Sequence, residues 1–141
     1  MGKKGRAQQE RRVVDMSAPA LQDVLWTPDP TEVEDWPFET VLLDLGRLVG
    51  RQGLDVLTGR MVEFAITAQV DVAGHWVDVA RVDTCHENVH LHLMSRTGVE
   101  ISRQVTRPIY GPNDVELGWD AGEAMLLAKW DEHVRRWGCG R

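Results

Sequence analysis

From Met61 onward the chain alternates between apolar and polar residues with a period of two. Phe64, Ile66, Ala68, Val70 and Val72 interleave with Glu63, Ala65, Thr67, Gln69 and Asp71, the pattern of a strand buried on one side only. Ala73-Gly74 suits a tight turn into a second run, Trp76 to Asp83. A third run follows in which Val89, Leu91 and Leu93 alternate with His90, His92 and Met94, and Thr97-Gly98 turns into a fourth, Val99 to Val105. The connections are too short for crossover helices, so the runs predict a four-stranded antiparallel meander between 60 and 106. Phe64, Ile66, Val70, Trp76, Ala80, Val82, Val89, Leu91, Leu93, Val99, Ile101 and Val105 are assigned to its apolar face. Parity then sends Arg81, Asp83, His90 and His92 together to the opposite face, and a one-residue slip would reverse any strand.

Helical spacing is expected on either side of this sheet. Val41, Leu42, Leu45, Leu48 and Val49 predict a helix near 38–50, closed by Gly50 or Gly53. Ser17 to Trp26 predicts a shorter one, broken by Thr27-Pro28-Asp29-Pro30 because proline lacks an amide donor and restricts the residue before it. After a loop from Pro108 to Gly118, Asp120-Ala-Gly-Glu123 reads as a capping box opening a last helix. That helix carries Leu126, Leu127, Trp130, Val134 and Trp137 on one stripe and ends at Gly138. The expected organisation is a basic disordered tail over 1–16 and one α+β domain over 17–141. Within that domain the prediction is a helical part at 17–58, a sheet at 60–106 and a C-terminal helix at 120–137, with helices on one face of the sheet.

Composition changes this picture in three places. A chain of 141 residues, 43% hydrophobic and 27% charged, fits one globular domain, and no apolar run approaches the ~20 residues that span a bilayer. No membrane association is expected, and the absence of an apolar segment behind Met-Gly-Lys-Lys-Gly-Arg points to the cytoplasm of a bacterium or a phage-infected one. Cys85 and Cys139 lack Cys-x-x-Cys spacing and are expected as free thiols. The net charge of −6 hides an asymmetry: Lys3, Lys4, Arg6, Arg11 and Arg12 oppose only Glu10 within residues 1–12, about +4, which leaves about −10 for the remainder. Such a body repels phosphate backbones, so a nucleic-acid partner would meet residues 1–12, whereas a protein partner would meet the acidic body.

The chemistry is concentrated in Arg81-Val82-Asp83-Thr84-Cys85-His86-Glu87-Asn88-Val89-His90-Leu91-His92, which holds three of the five histidines. Residues two apart in a strand share a side, so His90 and His92 present adjacent imidazoles. That geometry suits two ligands of one Zn²⁺, Mn²⁺ or Fe²⁺, with Asp83, His86 or Glu87 as a third. It also suits metal-free acid/base catalysis on a phosphodiester, with one imidazole neutral and the other protonated, Arg81 stabilising developing charge and Asp83 orienting a histidine. The same residues also make an ordinary solvated sheet face with an Arg81–Asp83 ion pair. There is no Gly-x-Gly-x-x-Gly and no phosphate loop, so no nucleotide cofactor is expected.

Arg81-x-Asp83-Thr84-x-His86 followed by His90-x-His92 resembles a segment of small uncharacterised domains of actinobacteria and their phages, where an Arg-Tyr-Asp-Thr-Ala-His-Gly-like stretch follows a tryptophan-bearing strand. Here that strand is Trp76-Val77-Asp78-Val79-Ala80-Arg81, and the resemblance spans about residues 61–106. More distantly, the order Arg-x-Asp, His, His-x-His is similar to that of small toxins of bacterial toxin–antitoxin pairs, although Val82 stands where an aromatic is usual. The toxin resemblance implies Arg81, Asp83, His86, His90 and His92 as site residues and RNA as a substrate class. Two functions are therefore carried forward. One is a small histidine-site hydrolase, of toxin type as that resemblance implies, acting on RNA or another phosphodiester; the other is a non-catalytic protein-interaction module whose surface histidines are incidental.

Overall fold

A computed structural model of the chain describes residues 25–42, 46–85 and 87–140. Among the described residues the fold is α+β: six antiparallel strands in sequential order, followed by two helices. The strands are β1 (Val33–Leu42), β2 (Gly46–Asp55), β3 (Met61–Val72), β4 (His75–Cys85), β5 (Asn88–Met94) and β6 (Glu100–Pro108). The helices are α1 (Pro112–Ala128) and α2 (Trp130–Gly138). The meander expected over 60–106 is present as β3 to β6, with two further strands in front of it.

Those two strands replace the helix expected at 38–50. The apolar positions read as a helical stripe do not share a burial state: Leu48 is fully buried and Val41 is 75% exposed, whereas Leu45 lies outside the described residues. The glycines taken as helix terminators instead allow strands to approach closely. A Cβ on Gly50 would lie 1.9 Å from the backbone carbonyl oxygen of Ala65, and one on Gly53 would lie 2.5 Å from Glu63 Cγ. Pro37 is tolerated because β1 is an edge strand, where a missing amide donor need not break a ladder. Of the shorter helix expected at 17–26, residues 17–24 lie outside the described residues, as does the basic stretch over 1–16. Trp26 is in irregular backbone and donates its amide to Ile109 O at 2.9 Å.

The C-terminal helix begins earlier than the expected position near 120. Pro112 occupies the first turn, where its lack of an amide is harmless, so residues 112–118 of the stretch read as loop are helical and Asp120 and Glu123 lie mid-helix. Gly118 and Gly122 let α1 settle onto the sheet. A Cβ at these positions would sit 2.7 Å from Val89 Cγ2 and 2.8 Å from Val82 Cγ1. The core between sheet and helices contains Leu48, Phe64, Ile66, Val82, Val89, Leu126, Trp130 and Trp137, each large side chain contributing roughly 1.5–3 kcal/mol by burial. Trp119 joins the layers, meeting Phe38 edge-on at 4.9 Å and Phe64 at 5.5 Å between ring centroids.

Register explains where the parity argument holds and where it fails. Ile66, Val82 and Leu91 align across three strands on the helix-covered face, and Thr67, Arg81, His92 and Arg103 align across four strands on the other. Between Ala68 and Gln69 the pairing shifts, so that Ala80 faces Ala68 but Asp78 faces Gln69 and Val79 is the extra residue. This bulge reverses the earlier half of β4, moving Val77 to the core side and Trp76, assigned to the apolar face by simple alternation, to the polar side. Arg136 of α2 donates to Val79 O at 3.1 Å, supplying a partner for the bulged carbonyl. The register of β5 with β6 places Val105 opposite His90 on the polar face and leaves Ile101 as the extra residue where the pairing shifts between Leu93 and Met94; Val99, Ile101 and Val105, assigned to the apolar face, are 59%, 48% and 54% exposed.

The Ala73-Gly74 turn has positive φ at both residues, 53° and 85°, as a two-residue hairpin requires. Two glycine substitutions should therefore separate collision from backbone strain. Gly50→Ala is expected to lower unfolding free energy by about 3 kcal/mol, because its clash is with backbone, and Gly74→Ala by about 1–2 kcal/mol from the left-handed conformation alone. Urea denaturation of both variants measures the difference, and equal losses would contradict the assigned close approach.

Candidate functional site

The polar face of the sheet carries its charges in linked groups. On β1 to β3, Arg51 bridges Asp35 at 3.0 Å and Glu63 at 2.8 Å. Nearby, Arg47 reaches Glu39 at 2.9 Å and Gln69 at 2.8 Å while lying 4.1 Å from the centre of the Trp76 ring. Gln69 donates in turn to Asp78 at 2.7 Å. These exposed pairs are individually worth at most ~1 kcal/mol.

On β4 to β6 a more buried group forms around His92, whose side chain is 2% exposed. Its Nε2 lies 2.8 Å from Asp83 Oδ1 and its Nδ1 lies 2.7 Å from Glu100 Oε1. A neutral imidazole has one N–H, so donation to both carboxylates requires the imidazolium form. Two arginines complete the group: Arg81 Nε donates to Asp83 Oδ2 at 2.9 Å, and Arg103 Nε to Glu100 Oε2 at 3.1 Å. Each carboxylate therefore has one oxygen on His92 and the other on an arginine.

The structure thus brings together four of the five candidate residues, Arg81, Asp83, His90 and His92. His90 is buried, sits directly opposite Asp83 in the ladder, and has its ring centroid 5.9 Å from that of His92. His86 lies outside the described residues. Glu87, considered as a ligand, occupies the turn before β5 with φ of 67° and lines a cavity of about 210 Å³ together with Trp26, Glu63, Thr84, Cys85 and Ile109. His75 is exposed at the start of β4, whereas His133 is buried in α2 and lies below its ordinary pKa, chiefly through desolvation and then Arg136.

Three neighbours of the site were missed in the sequence reading. Cys85 follows from the two-residue period that places Arg81 and Asp83, and its Sγ, an Asp83 oxygen and a His92 nitrogen lie within 4.8 Å of one another. Burial, and then the negative charge of Asp83, push the Cys85 thiol above its ordinary pKa, so it is not an activated nucleophile. Glu100 and Arg103 depend on the pairing of β5 with β6, which the Thr97-Gly98 turn signals but whose register is altered by the shift between Leu93 and Met94.

The hydrogen bond from His92, followed by that from Arg103, holds the Glu100 carboxyl below its ordinary pKa of 4.5 against the opposing effect of desolvation. A lowered acid pKa contributes stability above the unfolded-state value, and that contribution disappears as the pH falls through the folded-state value. Glu100→Gln should accordingly be less stable than the wild type at neutral pH, and the gap should close below about pH 4.5. Denaturation midpoints from pH 7 to pH 3 measure this, and a pH-independent gap would contradict the assigned linkage.

No curated protein and no solved structure matches the chain. Residues 38–140 match the model of a family described as a domain of unknown function, DUF7718. That match takes in the whole histidine cluster, all strands from β2 onward and both helices, and on this ground the chain belongs to the DUF7718 family.

Proposed function

We propose that the chain is a small histidine-site hydrolase acting on a phosphodiester, with single-stranded RNA as the first substrate class to test. The observation that supports this reading is the convergence of Arg81 and His92 on one carboxylate, Asp83, at 2.9 and 2.8 Å. Arg81, His92 and Arg103 are successive partners across β4, β5 and β6, so the two guanidinium groups stem from strands about 9–10 Å apart with an imidazolium between them. Their side chains are 31% and 46% exposed, which leaves them able to contact phosphoryl oxygens from the solvent side. Asp83 orients both Arg81 and His92.

The proton-transfer roles fall to the histidines. We assign the general acid to His92 in its imidazolium form; both nitrogens are engaged, so one carboxylate must release the ring before transfer. Glu100, on the edge strand with 31% side-chain exposure, is the contact better placed to open than Asp83 at 15%. His90 is the candidate base, with His86 as a further candidate. Arg81→Ala and His90→Ala should each reduce cleavage of a single-stranded RNA oligonucleotide by at least ~10²-fold, with thermal midpoints close to wild type. Undiminished cleavage in both variants would refute the assignment.

A different observation favours the alternative of a non-catalytic protein-interaction module. β6 is an edge strand carrying the exposed side chains of Ile101 and Val105, a template to which an extended partner peptide can add a strand. This reading predicts that Val105→Lys abolishes capture of a partner peptide selected on the wild-type chain, whereas Arg81→Ala leaves capture unchanged. The opposite pattern would reject it.

A further inference from the structure

We infer that Asp83, Cys85 and His92 form a site for a thiophilic divalent cation, with Zn²⁺ as the best fit. β4 projects Asp83 and Cys85 from one side of the strand, and β5 brings His92 beside them. One ligand atom from each lies within 4.8 Å of the other two. Ligands at 2.0–2.3 Å from a tetrahedral zinc are about 3.3–3.8 Å apart, so closing the site needs movements of about an ångström. Thiolate, imidazole and carboxylate together favour zinc over magnesium or calcium, which prefer all-oxygen shells.

The surrounding hydrogen bonds are those of an ion site. Metal-binding histidines generally give their second nitrogen to a carboxylate, which fixes the tautomer and the ring. Glu100 does this at Nδ1, leaving Nε2 directed at Asp83 Oδ1. Arg81 performs the equivalent task for Asp83 by holding Oδ2 and leaving Oδ1 turned toward the ring. Both outer partners lie on the sides of their ligands away from the gap an ion would enter.

Ion binding requires Cys85 as thiolate and His92 as neutral imidazole. Three protein ligands leave a fourth coordination position for water. With the ion bound His92 is a ligand and not a general acid, so the ion-loaded and metal-free forms are separate states of one site, and binding of the ion does not rest on the hydrolase reading.

The test uses the full chain, stripped with a chelator and titrated with Co²⁺ and then Zn²⁺. One equivalent of Co²⁺ should produce the near-ultraviolet sulfur-to-cobalt charge-transfer band, and one equivalent of Zn²⁺ should displace it. Cys85→Ser should lose the band, and Cys139→Ser should retain it. Glu100→Gln should keep the band but bind Zn²⁺ about 10–100-fold more weakly, the usual effect of losing an outer-shell partner. Absence of the band in the folded wild type, or loss of the band in Cys139→Ser and not in Cys85→Ser, overturns the site. Absence of the band in a folded chain that still cleaves RNA in an Arg81-dependent way would sink the ion site alone, whereas stoichiometric zinc with no cleavage by either the metal-free or the zinc-loaded chain would sink the hydrolase reading and leave the ion site standing.

Discussion

An antiparallel sheet has two faces, and among the described residues two helices cover only one of this sheet's. There the other face satisfies its charges with its own side chains, and that constraint accounts for most of what distinguishes the molecule. On β1 to β3 the solution is inexpensive: long arginines lie across neighbouring strands, cover part of the sheet with their stems and remain partly exposed at their tips. On β4 to β6 the solution places an imidazole out of water between two carboxylates, each held in turn by an arginine.

This second arrangement is interdependent in a way that the first is not. Removing His92 leaves two carboxylates facing each other across the site, and removing either carboxylate leaves a buried imidazole short of a partner. Both functional proposals for the site use the same residues: Asp83 is the junction of the hydrolytic reading and a ligand in the ion-binding one, and Glu100 holds Nδ1 of His92 in both.

The opposite face is governed by distance of approach. Gly118 and Gly122 bring α1 against Val89 and Val82, and Gly50 brings β2 against β3. The helix accepts two residues of poor helical propensity, each costing about 1 kcal/mol relative to alanine, in return for a closer layer. The bulge at Val79 serves the same layer, since it lets Val77, Ala80 and Val82 all face the core side of one twisted strand, with Arg136 attending to its carbonyl.

How much was legible in the chain follows from the range over which each signal acts. The period of two over Phe64 to Val72, the Ala73-Gly74 and Thr97-Gly98 turns, and the sharing of a side by Arg81 with Asp83 and by His90 with His92 are local facts, because alternation is a property of a single extended strand; that the two pairs meet on one face depends on the register of β4 with β5. The sequence by itself therefore determined the α+β class, the central hairpins and the core of the candidate site. Residues 38–50 read as helix because Val41, Leu42, Leu45, Leu48 and Val49 recur at helical spacing and Gly50 or Gly53 suits a helix end, whereas these glycines admit a neighbouring backbone or side chain that only the assembled sheet supplies. The faces of Trp76, Glu100 and Arg103 were likewise settled by tertiary structure. Bulges change which residue faces which across strands, and the enclosure of His92 between two carboxylates exists only once β4, β5 and β6 are paired.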